Sequence, residues 1–411
     1  MAIPSSSANF APAPPDPPGL DTSSPAAAAA RNSVGRPRIC FVGLQNLPVL
    51  APEYARPGIG GAERQQTLLA RALVRHGFVV SMIVHDYGQP EGRVWDGIVT
   101  HKAYAPTVGI PGLRFIHPRW TSVWAAMKRA DAQIYYTSCA GMLIGEVALF
   151  ARLHGRKAVY RIASNTDCDP RVARMRYTRD RLLYRYGLRH ADLILAQTTA
   201  QQEMLLANVG RASRVVPSLS DWGEQCVACE ARDIDVLWVG NLRQLKRPDL
   251  LLELARRMPR ARFAMVGGPI KGHEAFFEKV ASDARALPNV RFHGFVPHEE
   301  LAGFYGRARL LVSTSEIEGF PNTYLQAWSC GTPVVATFDP DDLIARHGLG
   351  RAVPNLEAMQ RAVTELLEEE APWAAVSARC RSYIERRGDP ASMVQPYIDA
   401  FTDLLATKAP A

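Results

Sequence analysis

The sequence has 411 residues, enough for two large domains, and its 47% hydrophobic content allows a sizeable core in each. A net charge of +8 favours anionic partners such as phosphates, nucleic acid or a membrane surface, although most of the charge is accounted for by solvated arginines spread along helices. No stretch reaches the roughly 18–20 apolar residues of a membrane helix, and the N-terminus lacks signal-peptide order. We therefore expect a cytoplasmic protein whose membrane contact is at most peripheral.

The seven cysteines are scattered, and only Cys226 and Cys229 are closely spaced. A zinc site would need two further ligands at similar spacing, and none is adjacent. The cysteine pattern therefore predicts a reduced chain without a metal site.

In chain order, residues 1–35 are rich in Pro, Ala and Ser and are predicted to be disordered, because they cannot bury enough apolar surface to offset the entropy of ordering. The apolar run 38–44 predicts a buried parallel strand, and a helix follows the glycine-rich loop GIGGAER. Further strands are predicted at 78–85, 132–137, 157–164 and 191–198, with helices between the later ones. This alternation predicts a first domain over residues 36–212.

Residues 213–233 break the alternation and are interpreted as a linker. The alternation then restarts, with strands predicted at 235–241, 262–268, 290–296, 309–316 and 333–337. Two doubly wound α/β domains follow, the second over residues 234–387, and an amphipathic helix ends the chain. In such folds ligands bind at the carboxyl ends of strands, so the loops that follow strands are the places to search.

Two of these loops carry anion-binding features. In GIGGAER the glycines let backbone N–H groups approach an anion at a helix start, although a plain turn into a capped helix explains the same letters. VGNLRQLKRPD follows a strand and brings Arg243, Lys246 and Arg247 to its end, either as a phosphate clamp or as an exposed basic turn.

The stretch EGFPNTYLQ sets a carboxylate, Glu318, beside a predicted helix start. The N–H groups of Asn322 and Thr323 would be free to bind an anion there, and Gln326 would share their helix face. This combination suits a ligand that carries both phosphate and hydroxyls, such as a sugar nucleotide. The alternative makes Glu318 a helix-dipole partner worth about 0.3–1 kcal/mol.

The loop ASNTDCDP holds Asp167 and Asp169 after a first-domain strand. Three interpretations stay open: a Mg²⁺ or Mn²⁺ pair, turn chemistry before Pro170, or Asp167 as a hydroxyl ligand in the cleft.

SEIEGFPNTYLQAWSCGTPVVAT resembles the signature of family-four glycosyltransferases of the GT-B fold, as do VGNLRQLKRP and VRFHGFVPHEEL before it. The resemblance spans about residues 36–408 and implies two doubly wound Rossmann-like domains facing a cleft. It implies that the second domain binds a nucleotide-diphospho-sugar of UDP or GDP type and the first an acceptor. It further implies that a helix within 388–408 returns to the first domain, and that transfer proceeds with retention, without metal or other cofactor.

Site residues follow from the resemblance one by one. Glu318 corresponds to the residue that meets sugar hydroxyls, and Lys246 to the phosphate-binding lysine. Gln326 takes the place of a ribose-binding glutamate. Asn241 takes that of an arginine, which Arg243 or Arg247 would replace. The expected acceptor-side histidine is not evident, and Ser164, Asn165 and Asp167 stand about there. The predicted catalytic residues are Glu318, Lys246, Arg243 and Asp167, and the predicted nucleotide-sugar contacts are Gly61, Gly240, Arg247, Phe295, Val296, Gly319, Phe320, Asn322, Thr323 and Gln326.

The function expected from these features is transfer of a sugar to a hydroxyl of a glycan or lipid-linked acceptor in surface polysaccharide or glycoconjugate synthesis, in the cytoplasm and at the inner face of the membrane. The alternative is a degenerate module that binds nucleotide sugar without turnover. A Rossmann dehydrogenase is disfavoured because G-x-G-x-x-G is missing. Nucleic-acid binding is disfavoured because the doubly wound pattern offers no reading surface.

Overall fold

The structure is a computed structural model that describes residues 35–56, 58–111, 113–171, 175–220, 232–388 and 392–407. The segment predicted to be disordered lies outside the described residues, apart from Gly35. The closely spaced Cys226 and Cys229 also lie outside them. Two α/β units are present, each built on its own sheet, as the alternation of apolar runs and amphipathic helices predicts.

The first sheet has eight strands in the order β3-β4-β2-β1-β5-β6-β7-β8, all pairs parallel except β3 with β4. Its strands are β1 Arg38–Val42, β2 Val79–Val84, β3 Val94–Trp95, β4 Ile98–Lys102, β5 Ile134–Ser138, β6 Lys157–Arg161, β7 Leu193–Ala196 and β8 Arg214–Val215. The helices of this unit are α1 Leu47–Leu50, α2 Gly61–Arg75, α3 Thr121–Ala130, α4 Met142–Leu153, α5 Thr178–His190 and α6 Thr199–Val209.

The second sheet has six parallel strands in the order β11-β10-β9-β12-β13-β14. Its strands are β9 Ile234–Val239, β10 Phe263–Val266, β11 Val290–Gly294, β12 Ala308–Ser313, β13 Val334–Ala336 and β14 Gly350–Ala352. The remaining helices are α7 Pro248–Arg257, α8 Glu274–Arg285, α9 His298–Arg307, α10 Asn322–Ser329, α11 Leu343–His347, α12 Leu356–Glu368, α13 Glu370–Arg387 and α14 Gln395–Ala406.

Each sheet has a point at which the strand order reverses direction. In the first sheet it lies between β1 and β5, and in the second between β9 and β12. Ligands of open parallel sheets bind in the crevice at such a point, outside the carboxyl ends of the two strands. The loops after β1, β5, β9 and β12 are therefore the ones that the fold assigns to a ligand.

The end of the first domain and the end of the chain both depart from a simple two-part division. Residues 214–215 form β8 of the first sheet, and Val216 and Leu219 are buried in its core, so the predicted linker at 213–233 begins too early. The final helix α14 packs on the first domain, where Tyr397 and Phe401 join its core. Burial of one amphipathic face explains this return across the molecule.

Among the described cysteines, Cys40, Cys139, Cys168 and Cys380 are free thiols, but Cys330 is disulfide-bonded. The prediction of a fully reduced chain is therefore wrong at Cys330. Within the described residues, no helix is both long enough and apolar enough to cross a membrane.

Candidate active site

The loops after β9 and β12 bring together the two charged residues that the sequence analysis singled out first. Lys246 ends a short turn after β9, and Glu318 lies in the loop between β12 and α10. The ammonium of Lys246 forms an ion pair with Oε1 of Glu318, although the two residues are 72 positions apart. Because β9 and β12 are neighbours at the reversal point of the sheet, their loops meet.

The turn that carries Lys246 is fixed by buried hydrogen bonds. Thr314, at the end of β12, donates its hydroxyl to the carbonyl of Lys246 at 2.7 Å and accepts from the Trp238 indole at 3.0 Å. The Glu316 N–H donates to the Leu245 carbonyl at 3.0 Å. These contacts join the two loops and fix the backbone of Lys246 against the end of β12.

The first turn of α10 lies next to the ion pair. It begins with Asn322 and Thr323, whose N–H groups donate to no other described residue, because the first turn of a helix has no intrahelical acceptor for them. Free N–H groups at the positive end of a helix suit an anion. A cation, a carboxylate and an anion-binding helix start therefore lie together on one edge of the second sheet.

The side chain of Asn322 has a role that the sequence did not indicate, because it bridges the two domains. Its amide group donates to the Gly61 carbonyl at 3.1 Å, and its oxygen accepts from the Gln65 amide at 3.1 Å. The Asn241 amide donates to the Ile59 carbonyl at 3.1 Å. The GIGGAER loop of the first domain thus touches the loops of the second domain directly, and Asn241 contacts backbone where the resemblance expected a phosphate-binding arginine.

Gly319 lies at another point where the domains meet. A Cβ atom there would overlap the carbonyl oxygen of Ala163 and lie 2.7 Å from the Gln197 amide nitrogen. The neighbouring Glu318 carbonyl accepts from the Asn165 N–H at 3.0 Å. The loop after β12 therefore packs closely on the loop after β6, which explains a glycine immediately after Glu318.

Glu63 is a candidate site residue that the sequence analysis missed. Its carboxylate accepts from the Gly60 N–H at 3.0 Å at the start of α2, and burial raises its pKa, while the positive charge of Arg243 acts in the opposite direction. Arg243 of the second domain is exposed, and its charge reaches Glu63 of the first domain. The sequence signal that could have indicated Glu63 is its spacing, because a glutamate three residues after a helix cap is typical of a capping box.

Arg247 is less available than the other two cations of its loop. Its guanidinium pairs with Asp249 at 2.8 Å and with Glu316 at 2.7 Å. Arg247 is thus engaged with two carboxylates, whereas Lys246 is paired with Glu318 and Arg243 is exposed.

Gln326 is buried, with 6% of its surface exposed, and its amide oxygen accepts from the Tyr305 hydroxyl at 2.8 Å. The resemblance assigned this position to the ribose, but here the amide oxygen already has a partner inside the protein. The side chains of α9 and α10 are thus joined at the position where the family pattern has a carboxylate.

Asp167 is nearly buried, with 5% of its surface exposed. Its carboxylate accepts from the N–H groups of Ala163 at 2.9 Å and Ser164 at 3.2 Å, and burial raises its pKa to about 6. Asp169 instead pairs with Arg171 at 2.8 Å. These are contacts within a turn, and they give no support to the predicted catalytic contact of Asp167. The described residues contain no group of three or more His, Cys, Asp or Glu side chains that could hold a metal ion.

The remaining predicted contacts divide between surface and core. Phe295 follows β11 and is 43% exposed, and it lies against Gly268, where an added Cβ would be 3.1 Å from that of Phe295. Val296 is half-buried, and Phe320 belongs to the core. Gly240 ends β9, where an added Cβ would be 3.3 Å from the Trp238 ring. Phe295 is thus an exposed aromatic face at the edge of the cleft, whereas Phe320 is a packing residue.

Two Rossmann-like domains whose strand ends face a shared cleft define the GT-B class of fold. Two family models match this chain, "Glycosyl transferase 4-like domain" over residues 60–218 and "Glycosyl transferases group 1" over residues 233–369. Together they cover most of the chain, which therefore belongs to the group 1 glycosyltransferases.

The curated relatives agree with this assignment, and the structural neighbours agree with the fold. The chain is 30% identical over 273 residues to a D-inositol 3-phosphate glycosyltransferase of Kineococcus radiotolerans, covering 62% of this chain and 56% of that one. Sucrose-phosphate synthase from Thermosynechococcus elongatus has a TM-score of 0.74 at 20% identity, covering 90% of this chain and all of that one. Anabaena HepE in complex with UDP and glucose has a TM-score of 0.71 at 17% identity, with the same coverage. In eight curated relatives the matched segments span between 24% and 56% of the relative's length.

Proposed function

We propose that this protein transfers a sugar from a nucleotide-diphospho-sugar of UDP type to a hydroxyl group of an acceptor. The observation that carries the proposal is the Lys246–Glu318 ion pair beside the first turn of α10. A diphosphate suits the cation and the free N–H groups, and sugar hydroxyls suit the carboxylate. The UDP and UDP-glucose complexes of HepE support a uridine donor.

The leaving group develops negative charge as the glycosidic bond to the diphosphate breaks. Lys246, Arg243 and the N–H groups of Asn322 and Thr323 would stabilise that charge, and such preorganised electrostatic stabilisation is usually the largest single contribution to catalysis. These cations supply positive charge at the diphosphate from the protein itself, which is consistent with transfer that needs no metal. Donor binding would separate the ion pair, since each partner then has its own ligand group.

Glu318 would orient the sugar by accepting hydrogen bonds from its hydroxyls. No enzyme carboxylate needs to attack the anomeric carbon in this arrangement. A leaving phosphate oxygen would take the acceptor proton on the same face of the sugar, which gives retention of the anomeric configuration. The anomeric configuration of the product, measured by NMR, tests this step, and inversion would exclude it.

We further propose a glycan or lipid-linked acceptor, bound by the first domain at the cytoplasmic face of a membrane, in surface polysaccharide or glycoconjugate synthesis. The basic charge of the chain supports an anionic membrane. The curated relatives named for transfer to D-inositol 3-phosphate suggest a second acceptor class, a phosphorylated polyol.

A second candidate function, nucleotide-sugar binding without turnover, is favoured by Asn241 and Gln326. Both replace charged residues of the family pattern, and both are engaged by protein groups, Ile59 and Tyr305. The two functions differ in a single observable, the release of nucleoside diphosphate.

The test has two stages. Thermal shift against UDP-, GDP-, ADP- and TDP-sugars identifies a donor, because a ligand of the folded state stabilises it by mass action. Release of nucleoside diphosphate from that donor is then measured with lipid extracts, glycans and inositol phosphate. Release that depends on an acceptor supports transfer, binding without release supports the second candidate, and no thermal shift contradicts both.

A further inference from the structure

An exposed apolar surface lies on the first domain, at the same edge as the cleft. Among the described residues, eleven large apolar side chains are exposed, and six of them lie in the segments 108–116 and 177–182. We call these six the apolar patch: Val108, Ile110, Leu113, Ile116, Tyr177 and Leu182. Ile110 is 68% exposed and Leu182 is 60% exposed, so both project into solvent. Soluble proteins rarely expose contiguous apolar surface of this kind unless it meets a partner or a membrane.

The two segments form one surface. The guanidinium carbon of Arg179 lies 3.9 Å above the centre of the Phe115 ring, which joins the loop after β4 to α5. Between the segments runs a groove of about 470 Å³, lined by Phe115, Ile116, Trp120, Arg179, Leu182 and Leu183. The groove is almost wholly apolar apart from the one arginine. Ile116 and Leu182, one from each segment of the apolar patch, thus line the same groove.

Arginines surround the apolar patch. The segments 105–120 and 175–185 contain six arginines and one aspartate, a net charge of +5, whereas the whole chain carries +8. The aspartate, Asp180, is paired with Arg179 at 3.1 Å. The exposed arginines among them are Arg114, Arg176, Arg181 and Arg185. The fold therefore brings two basic segments together beside one apolar surface.

We propose that this surface docks the protein on an anionic phospholipid bilayer. Apolar side chains that enter the boundary between headgroups and acyl chains, with arginines at the headgroup phosphates, are the combination by which proteins bind membrane surfaces. Aromatic rings such as Tyr177 and Trp120 favour the same interfacial depth. A second copy of the chain is the poorer occupant, because two surfaces of +5 would repel each other.

The position of the surface links it to the cleft. The segment 105–120 follows the parallel strand β4 and ends in the π-helical turn Phe115–Trp120, and α5 follows the loop after the parallel strand β6, so both lie at the carboxyl edge of the first sheet. The cleft opens at this same edge. A bilayer bound here would present the headgroup of a lipid-linked acceptor to the first domain. This consequence rests on the proposed function, whereas the docking itself does not.

Vesicle co-sedimentation of the full chain without donor tests the docking. We expect binding to vesicles of phosphatidylglycerol and phosphatidylcholine, little binding to phosphatidylcholine alone, and a decrease with salt. The triple variant Ile110→Ser, Ile116→Ser, Leu182→Ser should bind at least tenfold more weakly, and Arg185→Gln about fivefold more weakly, the usual effect of one basic residue at an anionic surface. The matched control is Leu153→Ser, because Leu153 is 65% exposed but lies at the far end of α4. This variant should bind vesicles like the unmodified protein.

The outcomes separate docking from catalysis. No binding to anionic vesicles, equal binding to neutral vesicles, or an equal loss in Leu153→Ser would overturn the proposal. So would a concentration-dependent dimer that the triple variant abolishes, because the surface would then belong to a second copy. The triple variant should keep its melting temperature and its affinity for nucleotide sugar. Vesicle binding by a chain that binds no nucleotide sugar would retain the docking and reject the proposed function.

Discussion

Replacement of Glu318 by alanine is expected to slow glycosyl transfer while sparing the affinity for nucleoside diphosphate. Its carboxylate is proposed to accept hydrogen bonds from sugar hydroxyls, and a hydrogen bond to a charged group contributes about 1.5–3 kcal/mol. If this contribution is made in the transition state, the rate should fall roughly 10- to 150-fold, because each 1.36 kcal/mol is a factor of ten.

The structure predicts the opposite trend for diphosphate binding. Glu318 pairs with Lys246 in the unliganded protein, so its removal leaves the ammonium free for phosphate. The Lys246 side chain is 30% exposed and stays solvated, so the loss of the pair should cost stability only about 0–1 kcal/mol. The affinity for UDP should therefore be unchanged or slightly higher.

The assay combines UDP release under saturating donor with calorimetric titration of UDP. Glu318→Gln is the matched control, because an amide retains one acceptor without the charge, and its rate should lie between those of the other two proteins. An unchanged turnover number in a correctly folded Glu318→Ala protein would refute the proposed role. A loss of UDP affinity as large as the loss of rate would equally refute it, since Glu318 would then act on the diphosphate.

Three further predictions concern packing around the cleft and the first-domain core. Gly319→Ala places a methyl group against the Ala163 carbonyl, so turnover should fall at least tenfold with little change in melting temperature. A lowered melting temperature with normal turnover would show that the glycine serves folding and not the contact between the domains. Tyr305→Phe leaves the buried Gln326 amide oxygen without its Tyr305 hydrogen bond and should lower the free energy of unfolding by about 1–3 kcal/mol. Urea denaturation measures this change, and an unchanged midpoint and slope would contradict the contribution of the hydrogen bond. Glu146 is fully buried, neither carboxylate oxygen has a described partner, and burial raises its pKa to about 9 from 4.5. The folded state therefore holds a proton that the unfolded state releases above pH 4.5, so stability is lost as pH rises toward 9. The free energy of unfolding of Glu146→Gln, relative to that of the unmodified protein, should therefore rise by about 3 kcal/mol by pH 7. A difference between the two proteins that is equal at pH 5 and pH 8 would contradict the raised pKa.

The two-domain fold could be predicted because its signals are local. Apolar runs ending in Gly and amphipathic helices between them mark βαβ units, and the carboxyl-end rule then indicates which loops to search. The proximity of Lys246 and Glu318 follows from the same rule once β9 and β12 are neighbours. The short strand β8 could not be predicted, because two residues carry no measurable periodicity.

The contacts between the domains could not be predicted from these patterns. Asn322 was expected to serve through its backbone N–H, and nothing local indicates that its side chain reaches Gly61 and Gln65. Gln326 was expected at the ribose, but its partner Tyr305 lies on a different helix. Such side-chain pairings depend on packing between elements that are distant in sequence. For the same reason, the meeting of two basic segments beside the apolar patch appears only in the folded chain.

The central claim is that Lys246 holds the diphosphate of a nucleotide sugar at the reversal point of the second sheet. Calorimetric titration of UDP into the unmodified protein and into Lys246→Ala tests it most directly. Lys279→Ala is the matched control, because Lys279 is an exposed lysine of the same domain, paired with Asp283 on α8. The account predicts saturable binding that weakens at least tenfold in Lys246→Ala and is unchanged in Lys279→Ala. Equal affinity in all three proteins, or no binding of UDP, GDP, ADP or TDP to any of them, would contradict it.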